Sequence, residues 1–177
     1  MKIGKEYLRV VQERFMSVKS LGDKTINQLS EEEIHWEYNE ASNCVAVIVK
    51  HLNGNMQSRW TDFLSTDGEK TNRDRDSEFE NTISSKQELM AIWENGWNVL
   101  FQTLEDLKEE DLLKEIYIRG ERHSVMDAIE RQMVHYASHI GQIVYIGKQV
   151  KGNYWKSLSI PKGKSASYLE YMKKKQE

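Results

Sequence analysis

The chain has 177 residues, 38% hydrophobic and 30% charged, the makeup of one soluble globular domain spanning 1–177 with a sizeable core. A formal charge of −3 argues against the basic face of a dedicated nucleic-acid binder, and no apolar run reaches the length of a membrane span, so neither nucleic acid nor membrane is an expected partner. A single cysteine, Cys44, excludes an internal disulfide, and the charged start "MKIGKEYLRVVQERF" lacks the apolar stretch of a signal peptide, so a reducing cytoplasm is the expected compartment.

The only proline is Pro161, so almost nothing forbids long helices before it. Residues 4–29 place Tyr7, Val10, Val11, Phe15, Val18, Leu21 and Ile26 at helical period and predict a first helix. "LSEEEIHWEYNEASN" breaks the pattern and reads as a connection. Residues 42–64 predict a second helix with Val45, Ile48, Val49, Leu52, Met56, Trp60 and Phe63 as its stripe. "STDGEKTNRDRDSEFENT", residues 65–82, is polar and dense in turn formers, and reads as a long, solvated surface loop. Long loops often act as lids, and Arg73 and Arg75 could meet an anionic ligand there; pairing with Asp74, Asp76 and Glu78 would satisfy them equally. Residues 85–107 predict a third helix through Leu89, Ile92, Trp93, Trp97, Leu100 and Leu104. "KEIYIRGERHS" alternates around an Arg-Gly pair, as a short β-hairpin does. Ser124 can cap a fourth helix, with Asp127 at the matching position of a capping box, and its pattern runs to about residue 150. "KGNYWKSLSIPKGKS" is irregular, and residues 166–174 predict a short closing helix. The chain is therefore expected to be all-α, a four-helix bundle with a β-hairpin before the last long helix. Trp60, Trp93 and Trp97 belong to its core, with Trp60 placed where it could also floor a pocket.

Five histidines are present. In projection, Ile129, Tyr136, Ile140, Ile143 and Gly147 centre the apolar stripe of the fourth helix, and His135 and His139 lie together at one margin of it. Packed or surface histidines are the commoner meaning of such a pair. A catalytic zinc site needs three protein ligands and an open position, so a third ligand must come from another helix. His51 sits mid-helix beside the stripe of the second helix, and the three rings can converge if the second and fourth helices are neighbours. His35 lies in a connection and His123 precedes a cap; both read as surface residues.

"IVKHLNGNMQSRWTDFLSTDGEK", "HSVMDAIERQMVHYASHIGQIVYIGK" and the late "SIPKGKSASY" resemble the DinB/YfiT-like superfamily, in a branch mostly of unknown function, over nearly the whole chain. The resemblance implies a four-helix bundle with up-down-down-up connection, one divalent metal held by three histidines, and pairing as homodimers. The family's ligand positions fall on His51, His135 and His139.

Three neutral imidazoles leave a divalent metal its full charge and an open position. Water bound there has a pKa near 7 in known zinc cases, and a bound thiol is deprotonated outright. Zinc suits imidazole and thiolate together; nickel, cobalt and iron also accept imidazole. Some members of the superfamily act with low-molecular-weight thiols such as bacillithiol or mycothiol. The resemblance thus implies a metal-dependent thiol S-transferase acting on a small-molecule substrate in detoxification or stress response. A hydrolase using metal-bound hydroxide is the alternative. It needs a general acid or base, yet there is no H-E-x-x-H and no carboxylate pair at the histidine margin; Glu130 projects away and Asp62 lies three turns past His51. A non-catalytic metal-bearing binding or stress protein is the third reading. Asn55, one turn on from His51, and Gln142, near the margin, could each hydrogen-bond a ligand nitrogen or a substrate, or merely solvate the mouth of the site. Arg59 could pair with a substrate carboxylate, although a salt bridge to a loop acid is the plainer account. Cys44 is two turns, about 10 Å, from His51, too far to share a metal, and reads as a small buried residue.

Overall fold

The computed structural model describes residues 3–175. Four long helices dominate it: α1 (Ile3–Ile26), α2 (Val45–Trp60), α3 (Lys86–Asp106) and α4 (Val125–Lys151). A hairpin of β1 (Glu115–Ile118) and β2 (Glu121–Ser124) precedes α4, and a short α5 (Ser165–Lys174) follows it. Ser85 and Ser124 cap α3 and α4, accepting from the backbone N–H groups of Glu88 and Asp127 at 3.1 Å each. The reciprocal half of the expected capping box is not formed, because Asp127 turns its carboxylate to His123 Nδ1. The second helix also stops short of its apolar pattern. Phe63 is buried, but Asp62 takes a left-handed φ of 49° and ends the helical run at Trp60.

Cross-helix contacts set the directions. Asn53 meets Asn95 and Trp60 meets Thr103, so α2 and α3 run parallel. Tyr7 reaches Glu130 while Thr25 packs on Gly147, so α1 and α4 are also parallel. Gln12 bonds the Leu104 carbonyl and Lys19 pairs with Glu94, so α1 and α3 are antiparallel. The result is an up-down-down-up bundle.

Parallel neighbours cannot be joined by a tight turn. The chain leaving α2 must return over its length, about 24 Å for 16 residues at helical rise, before α3 can start. Residues 61–85 make that return. The hairpin tip holds them: Asp67 accepts from the N–H groups of Arg119 and Gly120 at 2.8 and 2.7 Å, and Gly68 N–H donates to the Tyr117 carbonyl.

The core is aromatic at its centre. Phe15, Trp60, Trp93, Trp97 and Tyr136 are all buried, and Trp97 meets Trp93 and Tyr136 edge-on at centroid distances of 5.4 and 5.9 Å. Trp60 belongs to the core; it is 1% exposed and donates Nε1 to the Tyr136 hydroxyl. Among the described residues, no helix is long and apolar enough to cross a membrane. Truncating Trp97 to Ala should remove about 3–5 kcal/mol of stability, read by urea denaturation; a loss below about 1 kcal/mol would contradict this packing.

Candidate metal centre

Helix α2 is covered on three sides. One side packs on α3, with Met56 and Asn53 against Gly96, and a second faces α4. The third is roofed by the returning segment 61–85: Ser58 Oγ donates to the Gly68 carbonyl and accepts from Lys70 N–H, and Lys50 Nζ donates to the carbonyls of Ser77 and Glu80. This roof covers polar residues of α2 that would otherwise face water: His51, which meets Glu78, and Ser58 and Arg59, which meet Gly68. Gly54 lets it close, because a Cβ there would overlap Glu78 Oε1. A glycine in a helix interior costs about 1 kcal/mol relative to alanine, so its presence calls for such a reason.

Three imidazoles meet where α2 faces α4. His51 is 5% exposed, and His135 and His139 are partly buried one turn apart. His135 Nε2 lies 3.4 Å from His51 Nε2 and 3.1 Å from His139 Nε2. The edge of a zinc tetrahedron with Zn–N bonds of 2.0–2.1 Å is about 3.3 Å, so the spacing fits ligation around one ion. The rings stand at 84°, 64° and 80° to one another, like three blades around an axis.

The outer nitrogens fix which way each ring points. His51 Nδ1 donates to Glu78 Oε2 at 2.9 Å, and His139 Nδ1 donates to Gln142 Oε1 at 3.1 Å. With Nδ1 protonated on both, their Nε2 lone pairs face inward. Lone pairs this close repel unless a cation or a proton lies between them, and a divalent ion satisfies all three at once. Burial, followed by the positive charges that His139 and His51 would carry, pulls His135 down to about 3. Burial likewise lowers His139, with His51 adding to it and the Gln142 bond opposing. Both rings are therefore neutral at neutral pH, the state that can ligate a metal.

Glu78 comes from the segment expected to be a solvated loop, and that expectation is corrected here. Glu78 is 5% exposed. Burial alone would raise its pKa, but hydrogen bonds from Arg73 and His51, and the charge of Arg73, hold it below the usual carboxylate range. Arg73 clamps it through two nitrogens, Nε to Oε1 at 2.7 Å and Nη2 to Oε2 at 2.8 Å. Arg73 also reaches Glu69, which Arg119 of the hairpin turn engages at 3.1 Å. Phe79 stacks its ring on His51 at 4.9 Å. The sequence offered a pairing of Arg73 with Glu78, which forms, but it looked for carboxylates near the histidines only along the helices and so did not bring Glu78, Arg73 or Phe79 to the centre. The available signals were Gly54 inside the helix and one aromatic in an otherwise polar loop.

The other expected residues separate. Gln142 touches the centre through His139. Asn55 does not bond a ring nitrogen; its Oδ1 accepts from the Tyr136 hydroxyl, which itself accepts from Trp60. Arg59 is 3% exposed, lies against Gly68, and has Glu69 at 3.9 Å as its nearest acid, in line with the loop-acid account. His35 bonds Asn81 and His123 bonds Asp127, both outside the three-ring group. Glu130 accepts from Tyr7, and Cys44 is buried at the head of α2. A cleft of about 840 Å³ opens beside Gln142, between α4 and residues 36–43.

Residues 2–164 match the family described as "Protein of unknown function (DUF1572)", and the chain belongs to that family. No curated protein and no solved structure matches it. Replacing Glu78 by Gln keeps a hydrogen-bond acceptor for His51 but removes the charge. Competition against a chromogenic chelator should show metal affinity falling about 10–100-fold, while exposed Glu80→Gln leaves it unchanged. Equal affinities for Glu78→Gln and wild type would contradict the orienting role.

Proposed function

We propose that this chain is a divalent-metal-dependent enzyme of the DinB-like type, which activates a low-molecular-weight thiol and joins it through its sulfur to a small electrophile. The observation that carries the reading is the convergence of three Nε2 atoms, two of them on rings whose outer nitrogens are already committed. Zinc suits the donor set best, since it accepts imidazole and thiolate together. A cation held there supplies Lewis acidity that lowers the pKa of a bound thiol or water.

The chain's own residues supply the rest. Glu78 and Gln142 hold two rings in the ligating orientation. Burial keeps His135 and His139 unprotonated. Phe79 shields one face of His51 from water. In the overall reaction the thiol sulfur forms a bond to the electrophilic carbon, the leaving group departs with its bonding pair, and the thiol proton passes to solvent.

The choice of thiol over water rests on the state of Glu78. Hydrolysis calls for a group that can take and return a proton beside the reacting oxygen. Glu78 is the carboxylate bonded to the centre, and both its oxygens are taken by Arg73 and His51. Its lowered pKa makes it a poor base at neutral pH. Sulfur transfer needs no such base, because an ordinary thiol with pKa of about 8.5 needs only a modest shift to ionise. Zinc-loaded protein with bacillithiol and monochlorobimane should give a rate well above that of the free thiol, and His135→Ala should return it to background. A rate no faster than free thiol, across several thiols and electrophiles, would remove the S-transferase reading.

A further inference from the structure

Resting on the metal-centre reading above, we propose that the cleft beside His139 binds the second substrate, and that it takes a neutral molecule bearing a flat aromatic group and excludes anions. The cleft holds about 840 Å³, within the range of about 300–1,000 Å³ typical of small-molecule sites. One wall is α4, where Ser138, Gln142, Tyr145 and Gln149 follow one another at spacings of four, three and four residues and so share a face. Trp36 and Tyr38 stand opposite, on the connection between α1 and α2. Gln142 belongs to both places: it lines the cleft and accepts the His139 hydrogen bond. Ile48, one turn before His51, is also in the lining. A ligand in the cleft is thereby one hydrogen-bonded side chain, Gln142, away from His139.

Among the described residues, the lining carries no Lys, Arg, Asp, Glu or His, in a chain that is 30% charged. The cleft on the far side of α2 is the opposite case, lined by Lys50, Asp62, Lys70, Arg73, Asp74 and Glu78. An anion entering the cleft would lose water and find no cationic side chain in its walls in return, and Gln142 and the His139 ring stand between it and the metal-facing nitrogens. A neutral aromatic group meets the rings of Trp36, Tyr38 and Tyr145 instead. Tyr38 and Tyr145 are 79% and 65% exposed, so a ligand would cover apolar surface that now faces water. The hydroxyl of Ser138 and the amides of Gln142 and Gln149 can bond neutral polar substituents such as a nitro or carbonyl group. On this account the cleft receives the electrophile, and a carboxylate-bearing thiol approaches the centre from outside it.

Two fluorescent probes that share the same rings separate these classes: neutral N-phenylnaphthylamine and its sulfonated counterpart, anilinonaphthalene sulfonate. Titrated into metal-loaded protein, the neutral probe should bind about tenfold or more tightly than the sulfonate. Tyr145→Ala, at an exposed position, should weaken the neutral probe about fivefold or more without changing metal content or the circular dichroism spectrum. Gln149→Lys should reverse the preference by supplying the missing cation. Equal or tighter sulfonate binding by wild type, or neutral-probe binding untouched by both Tyr145→Ala and Trp36→Ala, would overturn the proposal. Metal content measured in the same samples keeps the two readings apart. Protein without metal that still shows the probe preference loses the metal reading and keeps the cleft; metal-bearing protein without the preference loses the cleft alone.

Discussion

Two parallel helices impose a return journey on the chain that joins them, and the centre is built on that constraint. Residues 61–85 must pass back over α2, and in doing so they bring Glu78 to the outer nitrogen of His51. An antiparallel α2–α3 pair joined by a short turn would leave that nitrogen to water. The return segment is long because topology demands it. It is ordered because Asp67 ties it to the hairpin tip, Ser58 ties it to α2, and Arg73 ties Glu78 to Glu69.

The charges at the centre follow from this burial. Neutral rings on α4 tolerate a dry setting, and His135 and His139 are held neutral. Glu78 is the costly member, a carboxylate out of water. It is offset by a two-pronged arginine and a histidine donor, so no buried charge is left alone. A divalent ion would add positive charge beside a carboxylate already within reach of its ligands, which raises the basicity of His51 toward the metal. Trp60, Tyr136 and Asn55 form a buried hydrogen-bonded row next to His135 that anchors α4 to α2.

Much of this was legible in the residues. Helical periodicity located four long helices, Ser124 caps where capping chemistry predicts, and the Arg119-Gly120 pair turns the hairpin with positive φ at both residues. Projection selected His51, His135 and His139, because each sits at the edge of an apolar stripe and such edges meet when helices pack. What stayed hidden has no period. Glu78 lies 27 residues from His51, in a segment whose composition matches any solvated loop, and only the path of the chain makes it buried. Asn55 was placed on the correct side of α2 but its partner was not, since Tyr136 belongs to another helix and its hydroxyl could be aimed only by packing.

The central claim is that three imidazoles from two helices hold one divalent ion. Elemental analysis of protein purified without an affinity tag or chelator, beside a His51→Ala variant prepared in parallel, tests it directly. The account predicts about one equivalent of metal in the wild type and almost none in a folded variant. A wild type without metal that also fails to take up zinc, or a variant that keeps a full equivalent, would contradict it.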